Sequence, residues 1–269
     1  MPIINWVNIN NNCQILNKSG INKMKKFNID TKVALVTGAN RGIGEAFVRH
    51  LLKSGAIKIY AGVRDIENLK SLVEEFPEQI EPVLLDVTNT DHISSLKEKI
   101  GKLDILVNNA GVAHGCFFTS DDATSIAKTE METNYFGPVQ VTNAVLPLLK
   151  QSSEAAIINI SSIAGIGAMA AIGPYSASKA AMHSYTQGLR AELQNENIAV
   201  IGVYPGPIDT RMAEAWEMDK PAPSQVANKT FDVLTAGEFD VFPDDFSQQM
   251  HALFLDHPHK LQEAFSQMQ

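Results

Sequence analysis

The sequence predicts an α/β fold, in which a single doubly wound parallel sheet carries helices on both of its faces. Two observations support this fold class. From Thr31 onward, short apolar runs without polar alternation take turns with segments of helical hydrophobic spacing, and such runs are typical of strands that are buried on both faces. A glycine-rich turn also connects the first of these runs to the first helical segment, as parallel sheets often require.

The predicted elements alternate along the chain. The first strand is rich in β-branched residues, and the first helix places Ile43, Phe47 and Leu51 at helical spacing. The strands are predicted at residues 32–37, 56–61, 82–85, 104–107, 155–160 and 198–204. The helices are predicted at residues 42–53, 65–76, 91–100, 120–135, 136–150 and 175–194.

Charge and cysteine content exclude several classes of protein. The chain of 269 residues carries 22 Lys and Arg against 30 Asp and Glu, a net charge of −8. This charge, without a long basic run, argues against a nucleic-acid-binding protein. No apolar run reaches the roughly 18 residues of a membrane span. Cys13 and Cys116 are the only cysteines, which excludes a disulfide scaffold and predicts a cytoplasmic protein.

The first thirty residues differ in composition from the rest. Residues 1–23 contain seven Asn and no acidic residue, and they lack the apolar core and cleavage site of a secretory signal. We predict a loosely ordered N-terminal extension over residues 1–30, with a role in covering a neighbouring subunit as the alternative. Met24 is an alternative start. Because no repeat or low-complexity linker follows, we predict one domain over residues 31–269.

The glycine-rich turn predicts a dinucleotide site. Gly38 suits the tight turn that leaves the strand, Gly42 lets the backbone approach a pyrophosphate, and Gly44 lets the helix pack closely. The helix N-terminus then presents free N–H groups and a partial positive charge to the phosphates. The alternative is a merely glycine-rich turn, but the strand-turn-helix context favours the dinucleotide site.

Four further motifs follow the glycine turn. They are Asn108-Asn109-Ala110-Gly111 after the fourth strand, Tyr175 with Lys179 four residues later, Ser162 placed 13 residues before Tyr175, and Pro205-Gly206 after the sixth strand. Together with the TGxxxGxG turn, they resemble the short-chain dehydrogenase/reductase family over residues 31–211. Asn134 matches the position of the family's helix asparagine.

The resemblance implies a Rossmann-type sheet of order 3-2-1-4-5-6 with a seventh strand, and NAD(P)-dependent oxidoreduction. It also implies a homo-oligomer, dimer or tetramer, in which residues 120–150 and 175–194 form a helical interface. One departure puts the tetramer in doubt. Many members end in a strand and a Gly-Gly turn, whereas residues 238–245 here are followed by a polar helical tail.

The candidate catalytic residues are Ser162, Tyr175, Lys179 and Asn134. Tyr175 and Lys179 lie on one face of a helix. A free tyrosine has a pKa of about 10, and an adjacent ammonium favours its phenolate. In reduction, the phenol donates a proton to a carbonyl oxygen that Ser162 hydrogen-bonds. The resemblance gives Asn134 a water that links Lys179 to solvent.

Alternatives exist for each of these residues. Tyr175 and Lys179 would otherwise be a half-exposed tyrosine and a solvated lysine on a surface helix. Ser161 competes with Ser162, but strand alternation sends the two to opposite faces and the spacing selects Ser162. Tyrosine and serine supply the polarisation that a metal would, so no metal is expected.

The cofactor is expected at the glycine turn and at the ends of the strands. Asp86 resembles the family's adenine-contacting aspartate, with a strand-end turn residue as the alternative. The predicted cofactor-binding residues are Gly38, Asn40, Arg41, Gly42, Ile43, Gly44, Arg64, Asp86, Val87, Asn109, Ala110, Gly111, Tyr175, Lys179, Pro205, Gly206, Ile208 and Thr210.

The end of the second strand predicts NADP(H) rather than NAD(H). A carboxylate at the position of Val63 would accept hydrogen bonds from the ribose hydroxyls and repel a 2′-phosphate. Arg64 can pair with that phosphate, and Arg41 can approach it from the other side. The alternative is that Arg64 pairs with surface acids such as Asp65 or Glu67. In our interpretation, Asp65 caps the following helix.

The segment 207–228 is predicted to cover the substrate with apolar side chains. An ordinary amphipathic helix packed on the core is the alternative. The predicted substrate residues are Ser162, Tyr175, Ala164, Met169, Met212 and Trp216. His114 is predicted as a surface loop residue, with the mouth of the active site as the alternative place. His251, His257 and His259 are predicted to be solvated.

These observations predict an NADPH-dependent enzyme that reduces a small-molecule carbonyl to an alcohol, or catalyses the reverse reaction. The alternative is a nucleotide-sensing protein that keeps the fold without turnover. Intact Ser162, Tyr175, Lys179 and Asn134 argue against a mere sensor, which has no need of all four.

Overall fold

A computed structural model describes residues 27–268 of the chain. Seven strands form one fully parallel sheet of order β3-β2-β1-β4-β5-β6-β7. This order confirms the predicted fold class, including the seventh strand. The strands are β1 Val33–Thr37, β2 Lys58–Val63, β3 Ile80–Leu84, β4 Ile105–Asn108, β5 Ala155–Ile160, β6 Ile198–Val203 and β7 Asp240–Val241.

Ten α-helices connect and cover the strands of the described chain. They are α1 Gly42–Lys53, α2 Lys70–Glu75, α3 Thr90–Ser94, α4 Leu96–Lys99, α5 Ala123–Met131, α6 Gly137–Leu149, α7 Gly173–Glu192, α8 Pro223–Ala236, α9 Asp245–Asp256 and α10 Pro258–Ser266. Short 3₁₀ turns lie at Ile66–Leu69, Ile163–Gly165 and Arg211–Ala213, and a π-helical turn at Glu132–Phe136 joins α5 to α6. None of the helices described is long and apolar enough to cross a membrane.

The sheet is buried on both faces, which explains why its strands lack polar alternation. Along β1, Ala34 and Val36 belong to one apolar cluster, and Leu35 belongs to the other. The first cluster includes Phe47 of α1, and the second includes Val141 of α6. A different set of helices therefore covers each face of the sheet. Because the strands are parallel, their carboxyl ends all lie on the same side of the sheet.

Several predicted boundaries were wrong by a few residues. The second strand begins at Lys58 instead of residue 56, because Gly55 turns the chain with a φ of +94° and Ile57 remains exposed. The helices predicted at 120–135 and 136–150 are shorter than predicted and are joined by the π-helical turn. Asp65 caps the segment after β2 as predicted, since its side chain accepts a hydrogen bond from the Glu67 N–H at 3.1 Å.

The packed part of the chain begins before the predicted boundary at Thr31. Phe27 is 4% exposed and Ile29 is 8% exposed, and both belong to the cluster that contains Phe47. An aromatic and a β-branched residue here bury apolar area that composition alone did not indicate. The remainder of the predicted extension, residues 1–26, lies outside the described residues and stays a prediction.

We expect deletion of residues 1–23 to leave the melting temperature unchanged, because Phe27 and Ile29 remain to anchor the chain. Phe27→Ala in the full chain should lower it by at least about 6 °C, since losing a buried Phe side chain costs about 3–5 kcal/mol and each kcal/mol shifts the midpoint by about 2–4 °C at this size. Calorimetry on both variants tests this. A deletion variant that melts as low as Phe27→Ala would contradict it.

Candidate active site

The glycine turn after β1 is fastened to the segment after β4. Asn109 donates from its side-chain amide to the Thr37 carbonyl at 2.9 Å and to the Gly38 carbonyl at 3.2 Å. The Thr37 hydroxyl accepts from the backbone N–H groups of Asn109 and Ala110, both at 3.0 Å. These bonds hold the ends of the two central strands in one arrangement.

The three glycines of the turn have distinct roles. Gly38 has a φ of +66° and Gly42 a φ of +56°, both in the left-handed region that glycine favours. A Cβ atom on Gly44 would lie 2.1 Å from the Gly38 carbonyl oxygen and 2.5 Å from the Asn109 amide nitrogen. Gly44 therefore permits the close approach of α1 to the turn, and no side chain caps the first N–H groups of that helix.

The candidate proton donor and its partners meet at the ends of β5 and α7. The Tyr175 and Ser162 side chains both line one cavity, and Ser162 favours the ionised form of the Tyr175 hydroxyl. Ser162 in turn accepts from the Ala164 N–H at 3.2 Å and donates to the Pro205 carbonyl at 3.3 Å. The Ser161 hydroxyl donates instead to the backbone carbonyl of Lys179 on α7 at 3.0 Å. The choice of Ser162 over Ser161 stays a prediction.

Lys179 is a buried cation beneath Tyr175. It is 4% exposed, donates to the Ile160 carbonyl at 2.9 Å, and holds Nζ 5.5 Å from the centre of the Tyr175 ring. The alternative of a solvated surface lysine is therefore wrong. The one-turn spacing on α7 brings both side chains to the same face, as expected.

Burial dominates the ionisation of both groups. It raises the pKa of Tyr175 to about 12, which the Ser162 side chain opposes and the charge of Glu130 reinforces. Burial also lowers the pKa of Lys179 to about 8, against the charge of Glu130. Contrary to the sequence-based expectation, the tyrosine pKa is raised rather than lowered, because desolvation of the hydroxyl is the largest effect. At neutral pH the site holds a phenol and an ammonium.

Asn134 fixes the loop that follows β4. Its Oδ1 accepts from the Val112 N–H at 2.9 Å, and its Nδ2 donates to the Val112 carbonyl and to the Ser178 hydroxyl, each at 2.9 Å. The residue lies in the π-helical turn, a feature that often marks functional sites. The Asn134 side chain thus holds the loop in place through Val112. The water predicted between Asn134 and Lys179 stays a prediction.

One cavity of about 1830 Å³ joins these elements along the carboxyl edge of the sheet. Its size exceeds the usual 300–1,000 Å³ of a single small-ligand pocket, so a dinucleotide and a substrate can share it. Gly44 and Asn134 are buried and do not line it. The other predicted residues line it: Gly38, Asn40, Arg41, Gly42, Ile43, Arg64, Asp86, Val87, Asn109, Ala110, Gly111, Ser162, Ala164, Met169, Tyr175, Lys179, Pro205, Gly206, Ile208, Thr210, Met212 and Trp216.

The two arginines predicted to bind the cofactor, Arg41 and Arg64, are exposed. Within residues 27–268, neither Arg41 nor Arg64 forms a salt bridge, and Glu67 pairs with Lys70 instead. Arg64 acts on Asp86: burial raises the pKa of Asp86, but hydrogen bonds from Thr88 and the charge of Arg64 outweigh it and lower the pKa. The alternative pairing of Arg64 with Asp65 or Glu67 is therefore wrong.

The segment predicted to cover the substrate is a turn and loop. Met212 lies in the 3₁₀ turn, is 51% exposed and lines the cavity. The Lys220 ammonium donates to the carbonyls of Ala213 and Trp216 at 2.9 and 2.8 Å, which holds the loop closed on itself. The alternative of one amphipathic helix over 207–228 is wrong, because α8 begins only at Pro223. Whether the loop acts as a lid stays a prediction.

Sequence reasoning missed three residues around the cavity. Phe246 of α9 lines it. Asp244 accepts from the Gly206 N–H at 2.9 Å and positions the turn after β6. Glu130 is fully buried beside the active-site loop. No local signal marks them, since two lie in the tail that departs from the family pattern and Glu130 lies in a polar helix.

The histidines divide differently from the expectation. His114 is exposed as predicted, but it also lines the cavity, which was the alternative. His251 is half-buried rather than fully solvated: its ring stacks on Phe242 at a centroid distance of 3.7 Å, and burial lowers its pKa. His257 and His259 are exposed. No cluster of potential metal ligands occurs in the part of the chain that the structure describes.

The sequence profile of the short chain dehydrogenases matches residues 32–221. The chain belongs to the short-chain dehydrogenase/reductase family. As a member of this family, it is an oxidoreductase. A curated relative, the 3-oxoacyl-[acyl-carrier-protein] reductase of Thermotoga maritima, is 36% identical over 196 residues, which are 69% of this chain and 78% of the relative.

Solved structures of other short-chain dehydrogenases have the same fold. A short chain dehydrogenase of Burkholderia cenocepacia, in complex with NADP, has a TM-score of 0.83 and 34% identity over 89% of this chain and 99% of its own. A family member of Burkholderia phymatum, in complex with NAD, has a TM-score of 0.76 and 22% identity over 87% and 96%. Both neighbours thus bind a nicotinamide dinucleotide, but one binds NADP and the other binds NAD.

Gly44→Ala should lower the melting temperature by several degrees, because the added Cβ must displace the Gly38 carbonyl and overpacking costs about 1–3 kcal/mol. Gly188→Ala is the matched control: that glycine lies in α7 with no atom within 4 Å of an added Cβ, so alanine should leave stability unchanged or raise it. Thermal melts of both variants decide the matter. Equal melting temperatures would show that the turn tolerates a side chain at position 44.

Proposed function

We propose that the protein is an NADPH-dependent reductase that converts a small-molecule carbonyl to an alcohol. The observation that carries the proposal is that Tyr175 and Ser162 line one cavity with the glycine turn, where the buried ammonium of Lys179 lies 5.5 Å from the centre of the Tyr175 ring. A proton donor, an oxygen-binding hydroxyl and a fixed positive charge are what carbonyl reduction requires of a protein.

The protonation states favour reduction as the direction supported near neutral pH. When bound, the nicotinamide cofactor supplies the hydride. The Tyr175 phenol, whose pKa burial raises to about 12, donates its proton to the carbonyl oxygen. Ser162 donates a hydrogen bond to the same oxygen and orients it. The charged Lys179 stabilises negative charge that develops on Tyr175 when its proton leaves.

The cofactor end fits a phosphorylated dinucleotide. Gly42 and the uncapped start of α1 offer backbone N–H groups to a pyrophosphate. Arg64 and Arg41 line the cavity without a salt bridge in the described chain, so their charges are available to a 2′-phosphate. Val63 lines the cavity where an acid would repel that phosphate. The NADP complex of the Burkholderia cenocepacia neighbour supports this preference.

The rival function is nucleotide sensing without turnover. To separate the two functions, the protein is incubated with NADPH and a panel of ketones and aldehydes, and the loss of cofactor absorbance is monitored. A sensor would bind NADPH and reduce nothing in the panel. Homo-oligomerisation through α5, α6 and α7 and a cytoplasmic location remain part of the proposal.

Tyr175→Phe should reduce turnover by at least about 10³-fold and leave NADPH affinity nearly intact, because only the proton-donating hydroxyl is lost and acid catalysis contributes about 10²–10⁴-fold. Tyr185→Phe is the matched control: this tyrosine lies on the same helix, packs against the second core cluster and is outside the cavity. Steady-state rates and a fluorescence titration measure the two effects. Retention of a tenth of the rate by Tyr175→Phe would refute the proton-donor role.

Arg64→Ala should raise the KM for NADPH at least tenfold and leave that for NADH little changed. A charged hydrogen bond to the 2′-phosphate contributes about 1.5–3 kcal/mol, which is about 10–150-fold in affinity. NADH serves as the internal control, since it lacks that phosphate. Equal catalytic efficiency of the wild type with both cofactors would overturn the assigned preference.

A further inference from the structure

Glu130 is a buried carboxylate that the proposed reaction does not use. It lies in α5, one turn before Asn134, with no solvent exposure. Its Oε1 accepts from the His114 backbone N–H at 2.7 Å and faces the His114 Nδ1 at 3.1 Å. Its Oε2 is buried and has no hydrogen-bond partner among the residues that the structure describes.

Such a carboxylate is costly to bury without a compensating charge. His114 on the loop after β4 contacts it directly, and α5 packs against α7, where the charge of Glu130 reaches Lys179 and Tyr175. Along its own helix, Lys128 and Glu132 are exposed to water, which screens their charges. Lys179 is the buried cation of this neighbourhood, and the charge of Glu130 acts on it.

Glu130 also completes a two-point attachment of the active-site loop. Asn134 holds Val112 by two hydrogen bonds, and Glu130, one turn earlier, holds His114. Val112 and His114 line the same cavity as Tyr175. The loop is thus fixed along one side of α5 by one amide and one carboxylate.

We propose that Glu130 is a positioning residue of the active site, whose carboxylate holds the Val112–His114 loop and balances the buried charge of Lys179. The two parts of this role separate by substitution. Gln at position 130 keeps an oxygen that can accept from the His114 N–H but removes the charge. Asp keeps the charge and shortens the reach to His114.

A double-mutant cycle tests the charge balance without any need for turnover. Urea midpoints are measured for the wild type, Glu130→Gln, Lys179→Met and the double variant. Each single variant leaves one buried charge unbalanced and should lose stability, whereas the double variant should regain at least about half of the summed loss, because coupled sites are not additive. Glu132→Gln combined with Lys179→Met is the control and should be additive.

Additive losses in the Glu130–Lys179 cycle would overturn the proposal. If Glu130→Gln fails to fold, the double variant is expected to fold better. A double variant that also fails to fold would overturn the proposal. Neither result depends on the reaction, so failure here differs from failure of the carbonyl reductase assignment, which the cofactor assay detects.

The pH dependence of reduction gives a second measurement, which rests on the proposed function. Glu130 raises the pKa of both Lys179 and Tyr175. Removal of its charge therefore lowers both values, and the protonated forms are lost at lower pH. The alkaline limb of kcat/KM for Glu130→Gln should shift to lower pH, whereas Glu130→Asp should keep the limb of the wild type. The charge role would be contradicted if the alkaline limb of Glu130→Gln coincided with that of the wild type. It would also be contradicted if the limb of Glu130→Asp shifted as far as that of Glu130→Gln.

Discussion

The hydrogen bonds between Thr37 and Asn109 join the carboxyl ends of β1 and β4, and both halves of the cavity depend on this junction. Parallel strands bring their carboxyl ends to one edge, but sheet geometry alone does not fix the loops that leave them. The Thr37 hydroxyl and the Asn109 amide supply that precision with four bonds. Gly44 then lets α1 approach the same junction closely, so the glycine turn and the loop after β4 share one support.

A chain of buried side-chain hydrogen bonds continues this support under the active site. Asn108 of β4 donates to Asn159 of β5 at 2.9 Å and to Thr142 of α6 at 3.0 Å, and Asn159 donates to Thr186 of α7 at 3.1 Å. All of these residues are almost fully buried. Buried polar groups that are paired in this way favour one register over others. Here they fix the position of α7, which carries Tyr175 and Lys179, relative to β4 and β5.

The sequence could predict most of the sheet because the central strands are buried on both faces, which leaves continuous apolar runs. The bounds of α1 and β5 agree with prediction to the residue. What could not be predicted depends on contacts between distant segments. Glu130 and His251 look like solvated polar residues in their own helices, but a loop packs over Glu130 and buries it fully, and Phe242 stacks on His251 and buries it in part. The raised pKa of Tyr175 likewise follows from burial, which spacing does not reveal.

The C-terminal helices α9 and α10 affect the order in which the site can form. Leu261 and Phe265 pack where a Cβ on Gly167 would lie, at 2.7 Å and 3.2 Å, and they share an apolar cluster with Ile163 and Met169. The loop between Ser162 and Tyr175 thus depends on partners about ninety residues further along the chain, and contacts of such sequence separation form slowly. During synthesis on the ribosome, the sheet can assemble before residues 245–266 emerge. Until they do, this apolar loop stays uncovered, and a nascent chain is exposed to chaperones and to aggregation at the very place where the substrate is expected to bind.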